Sequence, residues 1–364
     1  MEACGFHMYQ VSIKMLISSP KVLFLGSSME ESFQQFLLQE ESKTLMSEEE
    51  RDFLSTLPKH EDGCFGYLYN FQGFWFHAGR VKEVERLSQH FQPLHGDVLL
   101  ATPPKTGTTW LKALAFCVMN RNSHEPSNTY LEALAVNNPH ELVPTMGITS
   151  PESSTPRLLH THFPYELLPE YVKTSTSACR IVYLCRNVGD NFISSWKFFN
   201  KLRRKDLAPL PLEEAFELFC NGVTLCGPYW EHVLGYWKAS RDDVDHDDDK
   251  KKNKKVLFLR YEDLQRDPQL HLKRMASFLG RPFTIEEEEQ GMVSKIVEAC
   301  SFQRLSSLEV NKGGVYNRFG FRNSYFYERG VVGSCAEYLT PEMMDRLRRI
   351  TVEKFQGSGL NLDI

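Results

Sequence analysis

The sequence predicts an α/β fold, a single domain with a central, mainly parallel sheet flanked by helices. Three short apolar runs at residues 98–102, 180–185 and 256–259 carry this expectation. Each leads through a polar turn into a helix-like stretch. Fully apolar strands alternating with helices read as a parallel sheet buried on both faces. Ligands of such folds bind outside the carboxyl ends of the strands. Here those ends carry Lys105, Arg186-Asn187 and Arg260-Tyr261-Glu262-Asp263, so one shared site is expected.

The elements follow in order. Residues 1–45 read as a loosely ordered extension, and residues 46–364 as the domain. The apolar stretch 22–25 is short and follows Pro20 and Lys21, a poor secretory signal, and the first 29 residues lack the Arg of a transit peptide. A cytoplasmic location is expected. Residues 46–57 read as a helix, with Ser47 as N-cap and Glu50 completing a capping box. The aromatic segment 67–76 is expected to pack on the core. A first β-loop-α unit spans 97–119. Residues 242–255 are a block of acids followed by lysines, too polar to bury, and read as a charged surface insertion before the third strand.

Composition narrows the function classes. At 364 residues, 41% hydrophobic and 24% charged, the chain is an ordinary globular protein with a sizeable core. A net charge of -5 argues against non-specific nucleic-acid binding. No apolar run approaches the roughly 20 residues of a membrane span. The nine Cys are scattered without CxxC spacing, which suggests reduced thiols and no zinc ribbon. No carboxylate or His cluster has metal spacing, so no metal is expected.

Between the first strand and its helix lies Pro104-Lys105-Thr106-Gly107-Thr108-Thr109-Trp110. Free N–H groups and the positive dipole end of a helix make such a loop an anion cradle. Lys105 adds a charge, Gly107 admits close backbone approach, and three hydroxyls add donors. In the common phosphate loop GxxxxGK[ST] the Lys follows the last Gly. Here Lys105 precedes Gly107 and no acidic strand end resembles a Walker B site, a poor fit to a nucleotide kinase or GTPase.

The loop is similar to the 5′-phosphosulfate-binding loop of the cytosolic sulfotransferases. The resemblance continues in order over about residues 45–360. It runs through Pro156-Arg157-Leu158-Leu159-His160-Thr161-His162-Phe163-Pro164-Tyr165, then Tyr183-Leu184-Cys185-Arg186-Asn187 with Ser194 and Trp196, Arg260-Tyr261-Glu262-Asp263, Cys300-Ser301-Phe302 and Arg329-Gly330 with Gly333. Asn138-Pro139-His140-Glu141-Leu142-Val143-Pro144 and the segment from Gly227 to Trp237 resemble the plant branch, whose members act on flavonols, hydroxyjasmonate or brassinosteroids.

The resemblance implies a P-loop-like phosphosulfate-binding loop. It also implies transfer of a sulfuryl group from 3′-phosphoadenosine-5′-phosphosulfate (PAPS) to a hydroxyl of a small acceptor such as a flavonoid or phytohormone. His162 matches the general base, help typically worth about 10²–10⁴-fold. His160 lies two residues away, on the same face if this is a strand. Lys105 matches the cation that neutralises charge on the bridging oxygen as the S–O bond breaks. Lys105, Thr106, Gly107, Thr108, Thr109 and Trp110 match the donor-binding loop. Arg186 and Ser194 match contacts to the 3′-phosphate, Trp110, Tyr261 and Phe302 match contacts to the nucleotide, and Arg329 and Gly330 belong to the family's C-terminal nucleotide-binding segment, where Arg329 could compensate for Glu328.

Three departures stand out. Glu328 occupies the place of a family Arg on the 3′-phosphate, where a carboxylate repels, so weakened donor affinity is expected. Asn187-Val188-Gly189-Asp190 replaces Asn-Pro-Lys-Asp, and Ser334-Cys335-Ala336-Glu337 replaces Asp-Trp-Lys-Asn. The dimer motif of animal members is unmatched at Ala336, which leans toward a monomer. These changes motivate one alternative, a non-catalytic binding protein of the same fold. The acceptor pocket is expected to be apolar and drawn from residues 67–76, 137–146 and 219–237.

Overall fold

Besides a short antiparallel pair, Val315–Tyr316 with Phe321–Arg322, two sheets divide the strands among the described residues. In the smaller, β1 (Lys59–Glu61), β2 (Tyr67–Phe71) and β3 (Phe74–Phe76) pair antiparallel in that order. In the larger, β4 (Val98–Ala101), β5 (Leu158–Thr161), β6 (Arg180–Cys185) and β7 (Val256–Arg260) run parallel in the order β5-β4-β6-β7. The three apolar runs are thus three of the four parallel strands, and β5 adds an edge. The computed structural model describes residues 47–61, 67–121, 129–147, 156–174, 179–203, 207–241, 255–316 and 321–364. The extension 1–45 and the charged block up to residue 254 lie outside the described residues. Lys255, the last of that block, is buried and donates to the Thr174 carbonyl at 3.1 Å, so the surface insertion stops short of it.

Why the runs are apolar throughout follows from the two faces. Leu99, Ala101, Ile181, Tyr183, Cys185 and Val256 point into one core, with Phe192, Trp230, Val233 and Leu347. Val98, Leu100, Val182, Leu184, Leu257 and Leu259 point into the other, with Leu111, Leu114, Leu272 and Ile296. Alternation along a strand therefore selects between two cores, and polar residues fit neither. Each such side chain contributes about 1.5–3 kcal/mol by leaving water.

Helices close both faces. Thr108–Asn120, Pro268–Phe278 and Met292–Ala299 contribute to the second core; Ala78–His90, Val188–Leu202, Tyr229–Arg241 and Pro341–Phe355 contribute to the first. The N-terminal helix spans Glu48–Ser55, and its Ser47–Glu50 capping box is formed as the sequence predicts. The aromatic segment 67–76 is a hairpin whose Phe74 and Phe76 reach the first core. All four parallel strands end at one edge, where the loops meet.

Candidate active site

Local backbone shapes the loop after β4. Gly107 is the N-cap of the Thr108–Asn120 helix at φ 101°, and a Cβ there would lie 2.7 Å from the Tyr261 ring. Lys105 adopts φ 66°, left-handed for a residue with a Cβ, at a cost of about 1–2 kcal/mol. Side chains hold this shape. Thr106 Oγ1 donates to the Pro103 and Leu184 carbonyls, each at 3.0 Å, and Asn191 Nδ2 donates to the Pro104 carbonyl at 2.7 Å. The buried Thr106 hydroxyl thus braces the loop instead of adding a ligand donor. Thr109 Oγ1 lies 2.9 Å from His140 Nε2, and Thr108 Oγ1 lies 2.8 Å from Thr102 Oγ1.

Lys105 lines the cleft, with Nζ 3.9 Å from the centre of the Phe198 ring. Burial pushes its pKa down to about 7; Lys201 and Arg186 push the same way and Glu328 opposes.

His162 follows β5 directly. Its Nδ1 lies 2.7 Å from the Thr102 carbonyl, which only accepts, so Nδ1 carries the proton and Nε2 the lone pair. Burial pushes His162 down to about 3 against the raising effect of that carbonyl, with Arg80, Lys112 and His232 adding to the shift. The ring is neutral at pH 7. His160 sits beside it, ring centres 4.4 Å apart, as two residues on one strand face predict. Thr102 Oγ1 lies 3.3 Å from both His160 Nε2 and His162 Nδ1, so one hydroxyl links both imidazoles to Thr108 of the loop. His232 Nε2 is 3.0 Å from the His162 carbonyl and pins the backbone there.

The far wall comes from β6, β7 and the chain's last quarter. Arg186 is buried, donates through Nη2 to the Val331 carbonyl at 2.7 Å, and lies 4.8 Å over the Tyr261 ring. Its buried Nε has no hydrogen-bond partner among the described residues, nor has Trp110 Nε1. Trp110 meets Tyr261 edge-on at 5.6 Å, and Tyr261 Oη donates to the Gly330 carbonyl at 3.1 Å. Phe302 and Ser194 line the same cleft. Arg329 lines the cleft too, with its guanidinium paired to Glu337.

Gly330 has φ 66°, and a Cβ there would sit 2.7 Å from Phe302. Gly330→Ala is therefore expected to displace the Phe302 ring. Affinity for adenosine 3′,5′-bisphosphate should fall about tenfold or more, with only a modest change in melting temperature. Calorimetric titration checks this; unchanged affinity would remove Gly330 and Phe302 from the site.

The departures fit one another. Gly189 approaches Cys335 so closely that a Cβ would meet its Sγ at 2.8 Å. Asp190 accepts from the Gly333 N–H (2.8 Å), the Cys335 N–H (2.9 Å) and Ser334 Oγ (3.2 Å). It also pairs with Arg186 at 3.3 Å. These contacts tie the segment after Gly330 to the start of the Val188–Leu202 helix. Glu328 is not bare: its carboxylate pairs with Lys201 and, at 3.7 Å, with Lys197.

Two cavities meet here. The main cleft, about 500 Å³, holds Lys105, the loop, His162, Arg186 and Ser194. The cleft also takes an aromatic wall from Phe198, Phe199, Tyr316, Phe321 and Phe326, and carries the polar His77, Arg80, His140 and His160. Of the three segments expected to form the acceptor pocket, it takes only His140, Thr145 and Leu225. Leu68, Phe219 and residues 223–227 line a smaller apolar cavity of about 90 Å³, which shares Pro104, Phe199 and Leu225 with the main cleft. The expected apolar pocket is thus largely this side chamber.

Sequence reasoning missed Thr102, Lys112, His140 and Asp190. Lys112 is buried inside a helix, 3.2 Å from His140 Nδ1, with Nζ donating to the Val143 carbonyl at 2.9 Å. Burial and Lys112 hold His140 well below its ordinary pKa. A Lys amid the apolar stretch 111–119 and a Thr closing an apolar strand were the available signals.

Residues 95–359 match the family described as Sulfotransferase domain. Cytosolic sulfotransferase 8 of Arabidopsis thaliana is 42% identical over 327 residues, covering 87% of this chain and 94% of its own. Among solved structures, an Arabidopsis thaliana putative steroid sulphotransferase aligns with a TM-score of 0.64 at 33% identity, over 86% of this chain and 94% of that one. Retinol dehydratase in complex with androsterone and inactive cofactor PAP aligns with a TM-score of 0.60 at 20% identity, over 87% and 96%.

Proposed function

Because the chain belongs to the sulfotransferase family, alongside the plant cytosolic members, we propose that it moves a sulfuryl group from PAPS to a hydroxyl of a small acceptor, with His162 as general base. The enzyme class itself follows from the family. The relatives named cytosolic sulfotransferases favour the cytosol as its place of action.

One observation supports the base assignment above the others. The Thr102 carbonyl holds the His162 proton on Nδ1, so Nε2 offers its lone pair in the cleft that also holds the anion loop. An acceptor hydroxyl at hydrogen-bond distance from Nε2 would lose its proton there as its oxygen attacks sulfur. When bound, the donor supplies the sulfuryl group and brings negative charge, which favours the protonated forms of His162 and Lys105.

The residues present fit such a nucleotide. The loop N–H groups, Lys105, Thr108 and Thr109 would hold the phosphosulfate end. Arg186, with an unsatisfied buried Nε, Ser194 and the Gly330 backbone would hold the 3′-phosphate. Trp110, Tyr261 and Phe302 surround the space for the base, where two Cβ-free positions permit close approach. The aromatic wall of Phe198, Phe199, Tyr316 and Phe326 favours a flat, ring-bearing acceptor, a flavonoid or a similar phytohormone. Androsterone bound to a protein of the same fold agrees with that size.

The test has two stages. Adenosine 3′,5′-bisphosphate at about 100 times its Kd should stabilise the protein by about 2.7 kcal/mol, read as a rise in melting temperature. Labelled sulfate should then pass from PAPS to members of a phenol panel. A melting temperature indifferent to the nucleotide, together with no transfer, would refute the reading.

A further inference from the structure

The donor end of the cleft contains an ion-pair cluster with no obvious structural purpose. Lys197 and Lys201 lie four residues apart on the Val188–Leu202 helix, one turn from each other. Ser194, three residues before Lys197, shares that face and lines the cleft. Both lysines converge on Glu328, which stands two residues before the nucleotide-facing Gly330. Lys201 pairs with Oε2 in a close contact, and Lys197 lies 3.7 Å from Oε1. Lys197 is also steadied by Tyr338, with its Nζ 2.7 Å from Oη. Among the described residues lining the cleft, Glu328 is the one carboxylate.

Two ammonium groups gathered around one carboxylate are what a phosphate would also gather, with more charge to offer them. The donor proposed above has two anionic ends. The loop at Lys105 takes one and Arg186 with Ser194 faces the second, whose two negative charges exceed what one guanidinium balances. We propose that Glu328 is a built-in stand-in for the second phosphate: its carboxylate holds Lys197 and Lys201 in the free enzyme, and the lysines pass to the nucleotide's 3′-phosphate on binding. This rests on the PAPS reading of the cleft.

Two consequences follow. The lysines supply the positive charge that the basic residue expected at position 328 would have brought. And because binding breaks an internal ion pair, Glu328 lowers affinity for any 3′-phosphorylated nucleotide, which favours release of the bisphosphate product. Product release limits turnover in many enzymes. Direct repulsion between Glu328 and the phosphate makes a different prediction, because it needs no lysines.

Calorimetric titration with adenosine 3′,5′-bisphosphate and with AMP, which lacks the 3′-phosphate, separates these ideas. Glu328→Gln should tighten the bisphosphate about tenfold while AMP changes less than about threefold, since one unit charge at close range carries an effect of this order. Lys197→Gln with Lys201→Gln should weaken the bisphosphate about tenfold and leave AMP nearly unchanged. In that double variant, adding Glu328→Gln should have no further effect. An undiminished Glu328→Gln effect without the lysines would overturn the exchange, as would a lysine double variant that weakens both nucleotides equally. A wild-type protein that binds neither nucleotide would overturn the PAPS reading itself, and the exchange with it. Lys197 and Glu328 line the cleft, Lys201 pairs with Glu328 beside it, and each change is conservative; matching melting curves confirm that folding is intact.

Discussion

His162→Ala is expected to lower kcat by about 10²–10⁴-fold, the usual worth of a positioned general base, with little change in donor affinity. The expectation rests on one tautomer. Nδ1 is committed to the Thr102 carbonyl, so Nε2 is the atom able to take a proton. Its pKa of about 3 in the free cleft means that this nitrogen stays unprotonated there, so kcat/KM for PAPS, which reports the free enzyme, should show no acid limb from His162 above about pH 4. His160→Ala is the control. Its Nε2 faces the Thr102 hydroxyl and its side chain is buried, so the loss should be much smaller. Steady-state rates with a fixed phenol and saturating PAPS decide the matter. Equal turnover in His162→Ala and wild type would remove His162 from the chemistry, and a larger loss in His160→Ala would transfer the role to its neighbour.

The second large effect belongs to Lys105. Lys105→Met should cost about 10²–10³-fold in kcat, comparable to loss of a preorganised charge at an anionic transition state. Met keeps a Cβ at φ 66°, so the backbone cost is the same in both proteins. The pH dependence gives the finer test. With its pKa lowered to about 7, Lys105 is charged below that pH and neutral above it. The charged form is the useful one. So kcat/KM for PAPS, which reports the free enzyme, should fall as pH rises through about 7. Bound anion favours the charged form, so the kcat profile should hold to higher pH. Lys105→Arg keeps its charge throughout and should lose the alkaline limb. A wild-type kcat/KM that stays flat up to pH 9 would refute the lowered pKa.

How much of this was legible in the sequence depended on how much of the signal was local. Residues 98–102, 180–185 and 256–259 read as strands because two-sided burial leaves a continuous apolar run, and all three are parallel strands, the first ending one residue early at Ala101. The Ser47–Glu50 cap is a short-range hydrogen-bond pattern and was equally readable. Lys59–Glu61 was not, because an exposed edge strand has no apolar code. Nor was β5, four residues long with a His at its third position, since its assignment depends on pairing with β4 across 60 residues.

The candidate site divided the same way. The loop and His162 were readable from motif and residue type. The bracing role of Thr106, the Asp190 contacts to Gly333 and Cys335, and the lysine pair around Glu328 depend on side chains brought together from distant positions. The close fit of Gly189 to Cys335 joins two departures from the family pattern in one contact, since a Cβ at position 189 would meet Cys335 Sγ at 2.8 Å.

The Asp190 contacts also set an order of events during synthesis. Asp190 joins the start of the Val188–Leu202 helix, made midway through translation, to Gly333–Cys335, made near its close, and Leu347, Phe355, Leu360 and Leu362 pack into the same core as β6. Chains fold from the N-terminus as they emerge. The loop at Lys105 is therefore exposed on the ribosome well before the wall opposite it exists. A nascent chain presents only half of the cleft, and a chain that stops short of residue 330 never completes it.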